Sequence, residues 1–101
     1  LHALSRAGVP NEVVLRAATS NAAAALGLDD LGTVEEGKMA DLVIVSGDPL
    51  ADITATRNVV WVVRNGAVFD PEWLLERAWG RLGPASPEAA DWWKGTLRLG
   101  R

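Results

Sequence analysis

The 101-residue sequence contains no cysteine and one histidine, His2. Without cysteine there is no disulfide, no thiolate nucleophile and no zinc–thiolate site. The same absence fits a reducing compartment, so the expected location is the cytoplasm. No apolar stretch approaches the roughly 20 residues that a membrane span requires. No basic segment followed by an apolar one marks a signal peptide. Basic patches are lacking as well, and the formal net charge is −3 at pH 7, which speaks against a nucleic-acid binder. Neither a membrane nor a nucleic acid is an expected partner. What is present suits one small globular domain with a modest core, at 49% hydrophobic and 23% charged residues. The chain opens in helical pattern at Leu1 rather than at a methionine, which reads as the cut end of a longer protein.

The chain is organised around Leu31–Val45, where the hydrophobic period changes from helical to extended. Before it, Leu1–Ala7 reads as the end of a helix stopped by Gly8, and Pro10 as the first residue of the next. Val14, Ala18, Ala22 and Ala25 fall on one helical stripe, interrupted at Thr19-Ser20-Asn21, whose side chains compete with the helix backbone. The expectation is two helices, Pro10–Thr19 and Asn21–Leu26, with alanines marking close approach to a neighbour. After Asp29-Asp30, Thr33-Val34 reads as a short strand and Glu36-Gly37-Lys38 as a tight turn. Asp41–Ser46 reads as a strand buried on both faces, because Leu42, Val43, Ile44 and Val45 are consecutive and mostly β-branched. Leu50–Ile53 is expected as one helical turn and Thr54–Arg57 as a loop. Val59–Arg64 and Ala67–Phe69 form a hairpin about Asn65-Gly66. Asp70-Pro71 starts a helix with an apolar stripe of Leu75, Ala78, Trp79 and Leu82 that ends at Gly83-Pro84. Ser86-Pro87-Glu88 starts a last short helix through Trp93 or Lys94, leaving Gly95–Arg101 loose.

The order of these residues resembles a known family. Ala17-Ala18-Thr19-Ser20-Asn21-Ala22-Ala23, Leu26-Gly27-Leu28, and Leu31-Gly32-Thr33-Val34-Glu35-Glu36-Gly37-Lys38-Met39-Ala40-Asp41-Leu42-Val43 are similar to the C-terminal signature of metal-dependent amidohydrolases. The likeness continues through Gly47-Asp48-Pro49-Leu50 and Val62-Val63-Arg64-Asn65-Gly66 and covers about Leu1–Asp70. Its flavour is closest to imidazolonepropionase-like and dipeptidase-like members. The resemblance implies an α+β chain. Residues 1–28 would be the last helices of a (β/α)₈ barrel, and residues 29–70 the C-terminal strands of a small composite β-sandwich domain built from both chain ends. Residues 71–101 would be a Trp-rich helical tail without a counterpart in the family.

The family hydrolyses C–N bonds with water activated by a divalent metal, zinc being expected, held by a His-x-His pair, further histidines and an aspartate. One imidazole cannot build such a site, since three or more protein ligands must converge. No catalytic, cofactor-binding or metal-ligating position of the family therefore carries over to a residue of this chain, and no cofactor is expected to bind it. His2 is read as a surface helix residue, and Asp41, Asp48 and Asp52 as caps of backbone N–H groups beside turns. Lys38 lies in a turn that lacks the phosphate-loop pattern GxxxxGK[ST]. Asp29-Asp30 with Glu35-Glu36 is read as a solvated face. Trp61 is expected in sheet packing. Trp73, Trp79, Trp92 and Trp93 are expected either to cover the sheet or barrel or to meet another subunit, giving a homo-oligomer. A membrane-surface role is disfavoured because their helix lacks a basic face.

Two functional readings stand. One is the non-catalytic C-terminal part of an amidohydrolase, whose partners are the N-terminal barrel and sheet strands and whose substrate is a small amide. The other is a free-standing interaction module descended from such an enzyme. That the 101 residues are an enzyme by themselves is the reading set aside.

Overall fold

The computed structural model describes residues 1–78 and Arg81. The chain divides into two units, Leu1–Asp70 and Pro71–Arg101. The first carries helices α1 (His2–Arg6), α2 (Asn11–Ala18) and α3 (Ser20–Ala25), strand β1 (Leu42–Val45), a 3₁₀ helix (Ile53–Arg57), and strands β2 (Val59–Arg64) and β3 (Ala67–Phe69). In the second, helix α4 spans Pro71–Ala78. The remainder of the expected tail stripe, Trp79 and Leu82, lies outside the described residues. So do Trp92, Trp93 and the expected last helix.

The break between α2 and α3 decides which alanine is buried. Thr19 leaves helical geometry at φ −126°, ψ −94°, and its hydroxyl donates to the Leu15 carbonyl at 2.7 Å. A continuous helix would have put Ala22 and Ala25 on the Val14 stripe. The break resets the phase, so Ala23 is buried while Ala18 and Ala25 are exposed. Pro10, expected inside the helix, is its extended cap at φ −56°, ψ 140°, and Asn11 becomes the first helical residue. The Asn11 side chain then joins distant segments. It accepts from the Ser5 hydroxyl at 2.7 Å and donates to the Leu50 carbonyl at 3.0 Å.

The sheet is antiparallel in the order β1-β2-β3. Leu42 pairs with Val63 and Ile44 with Trp61, and Val63 pairs with Val68. These five therefore share one face, because directly opposed residues in an antiparallel ladder point the same way. Val43, Val62 and Phe69 share the other. The register shifts between Ile44 and Val45. β1 is not buried on both faces as expected: Val43 is 60% and Ile44 46% exposed. An edge strand in a three-stranded sheet has one ladder partner, and the described residues leave much of both faces open.

Thr33-Val34, expected as a strand, is a bend with Val34 83% exposed. Side-chain bonds hold the loop instead. Lys38 Nζ donates to Thr33 Oγ1 at 2.7 Å and pairs with Glu35 at 2.9 Å, while Thr33 Oγ1 donates to Glu35 at 2.8 Å. The helical content of residues 48–57 is also displaced from expectation. A single turn closes from Asp52 N–H to the Asp48 carbonyl at 3.0 Å, and the expected loop Thr54–Arg57 lies in the 3₁₀ helix. Asp52 is the reason, since its carboxylate accepts from both the N–H and the hydroxyl of Thr54 and so starts that helix.

The core of the first unit gathers Val14, Ala23, Ile53 and Ala55, with Val14 fully enclosed. It lies where α2, α3 and the 3₁₀ helix supply small or β-branched side chains, and it is small for the number of large apolar residues left outside it.

Candidate functional site

The three aspartates read as caps, Asp41, Asp48 and Asp52, are each engaged with backbone. Asp41 accepts from Asn65 N–H at 2.7 Å, Asp48 from Leu50 N–H at 2.9 Å and Asp52 from Thr54 N–H at 3.0 Å. The bonds from Thr54 hold the Asp52 carboxyl below its usual range. Glu35 is held down in the same direction, first by its bond from Lys38 and then by that from Thr33. Asp29, Asp30, Glu35 and Glu36 are all exposed. Among the described residues, no group of three or more His, Cys, Asp or Glu side chains converges as a metal site.

His2 lies half-buried on α1, and its Nδ1 is 3.4 Å from a guanidinium nitrogen of Arg57. Arginine can only donate, so a hydrogen bond here requires the tautomer in which Nδ1 carries no proton. That donor set does not fit the metal centre of the family. One ring nitrogen of the single imidazole lies beside a positive charge, the nearby Asp52 is occupied by Thr54, and no further ligands converge on it among the described residues.

A concavity of about 700 Å³ runs between α2, α3, the 31–34 segment and β1. Leu15, Ala22, Leu26, Leu31, Val34 and Leu42 line it. Its size is that of a ligand pocket, but the one ionisable side chain on its wall, Asp41, is committed to Asn65. It offers apolar surface rather than a reacting group. Trp61 is 43% exposed on the sheet, and within the second unit the Arg77 guanidinium sits 4.4 Å from the centre of the Trp73 ring, a cation–π contact. The sequence reading missed Asn11. A polar residue directly after a helix-starting proline, where side chains cap, was the available signal.

Residues 1–68 match the model of the amidohydrolase family. No curated protein matches the chain. Among solved structures, the chain is similar to a Xaa-Pro dipeptidase crystallised with methionine in its active site. The identity is 35% and the TM-score 0.63, over 66% of this chain and 17% of the dipeptidase. It is also similar to an uncharacterized protein at 34% identity and TM-score 0.53, over 55% of this chain and 15% of that one. The chain thus spans 17% of the dipeptidase's length. On the family match over its first 68 residues, the chain belongs to the amidohydrolase family.

Proposed function

We propose that this chain is the non-catalytic C-terminal scaffold of an amidohydrolase that hydrolyses an amide, cyclic amide or dipeptide C–N bond. The observation that carries this reading is extent: the part alike to the dipeptidase is 17% of that enzyme, and the whole sequence offers one imidazole. In this reading the divalent metal, zinc by expectation, and the water it activates are held by the N-terminal barrel, which with its sheet strands is the chain's partner. Residues 1–28 close the barrel with α1–α3, residues 29–70 complete the small β-sandwich with β1–β3, and residues 71–101 form an appended tail. The open faces of β1 and the apolar concavity beside it are the surfaces such a partner would cover. The substrate is a small dipeptide or amide, the location is the cytoplasm, and the tail is a candidate contact between subunits. No helix among the described residues is long and apolar enough to cross a membrane.

Complementation tests the proposal. The chain and the remainder of its enzyme are expressed separately and together, and hydrolysis of a Xaa-Pro dipeptide is assayed. Activity is expected only when both parts are present. Turnover by the 101-residue chain alone, or full activity of the remainder without it, overturns the proposal. The second outcome would favour a free-standing interaction module.

A further inference from the structure

The turn between β2 and β3 places Asn65 before Gly66 at an exposed hairpin tip, with φ +48° and +78°. Both central residues in the left-handed region define the tight two-residue turn that Asn-Gly favours. The same pair is a reactive one. A glycine amide nitrogen carries no neighbouring Cβ to shield it, and a Cβ built at Gly66 would meet nothing within 4 Å. The other three asparagines, Asn11, Asn21 and Asn58, are followed by Glu12, Ala22 and Val59.

The geometry points to Asn65 as a spontaneous deamidation site whose reaction is gated by the contact of the turn with Ala40 and Asp41. The Gly66 amide nitrogen gives up its proton and attacks Cγ of Asn65. A new N–Cγ bond forms, the Cγ–Nδ2 bond breaks, and the nitrogen leaves as ammonia after taking up a proton from solvent. Water then opens the cyclic imide at either carbonyl, giving aspartate or isoaspartate. Nothing is oxidised or reduced. Two bonds oppose the first step. Gly66 N–H, the proton that must leave, donates to the Ala40 carbonyl at 3.1 Å. Asn65 N–H donates to the Asp41 carboxylate at 2.7 Å and holds the turn in place. Either product then works against the turn. Aspartate sets a second negative charge near Asp41, and isoaspartate adds a backbone atom that breaks the Arg64↔Ala67 pairing. The reaction would therefore loosen the tie between the start of β1 and the hairpin, irreversibly.

Peptide mass spectrometry tests this on the protein at its natural length, incubated at mildly alkaline pH in native buffer and in guanidinium chloride. The amide-to-acid mass shift is expected in the tryptic peptide Asn65–Arg77, not at the other three asparagines. It should run about thirtyfold slower in native buffer, the retardation two ordinary hydrogen bonds supply. Asp41→Ala should speed the native reaction about fivefold, one bond's worth, while Asp41→Asn, which keeps an acceptor, should restore the slow rate. Conversion at another asparagine first, no conversion natively while the denatured chain converts fully, or equal rates in the two buffers would overturn the inference. An unchanged rate in Asp41→Ala would overturn the gating.

Discussion

Gly32 sits against Ala23 so closely that a Cβ on the glycine would lie 2.6 Å from the Ala23 Cβ and 3.0 Å from the Ser20 Cα. Its φ of +90° is, in addition, one that side chains with a Cβ rarely adopt. The glycine is what lets the chain leave α3 and pass back under it toward β1. Gly32→Ala is expected to destabilise the protein by about 2–4 kcal/mol, combining left-handed backbone strain and overpacking. A denaturant midpoint measured on the protein at its natural length checks it. A change within a few tenths of a kcal/mol would show that α3 can shift freely.

The enclosed Val14 makes a companion case, because it is a cavity rather than a clash that the substitution creates. Val14→Ala is expected to cost about 2–3 kcal/mol in the same assay. A loss below about 1 kcal/mol would mean that the residues around Val14 collapse to fill the space.

How much of this was legible in the sequence depends on how local each signal is. The Asn65-Gly66 hairpin, the stops at Gly8 and Gly27, and the caps at Asp48 and Asp52 are set by neighbouring residues, and the structure has them where the sequence puts them, whereas Asp41 reaches a partner 24 residues on, Asn65. The buried alanine was misplaced by one position because the Thr19 break resets the helix phase, which a periodicity count cannot see. Thr33-Val34 looks extended by residue type, yet the bonds among Lys38, Thr33 and Glu35 close it into a loop. The burial of β1 was overstated for a different reason. Four apolar residues in a row report the surroundings a strand is suited to, and the described part of this chain does not supply them.

Acid should weaken the Asp52 cap. Because bonds from Thr54 depress the Asp52 carboxyl in the folded state, its contribution is present above the unfolded value and is lost as pH falls through the folded one. The exposed Glu35 behaves alike. Stability is expected to fall below the ordinary carboxylate range, and Asp52→Asn should flatten that limb of the pH–stability curve. An identical acid limb in Asp52→Asn would remove the cap from the explanation.

The 101-residue chain is expected to hold no divalent ion tightly, since it has one imidazole and a catalytic centre needs three or more converging protein ligands. Zinc titration followed by dialysis and elemental analysis measures this. Stoichiometric zinc retained by the chain would contradict it, and His2→Ala would show whether His2 holds it.

Thermal unfolding of the 101-residue chain by itself, with light scattering recorded alongside, tests the scaffold reading most directly. With Val43 60% and Val68 62% exposed on opposite faces of one small sheet, the chain is expected to aggregate or to melt broadly without a cooperative transition. A monodisperse monomer with one sharp transition would contradict the scaffold reading.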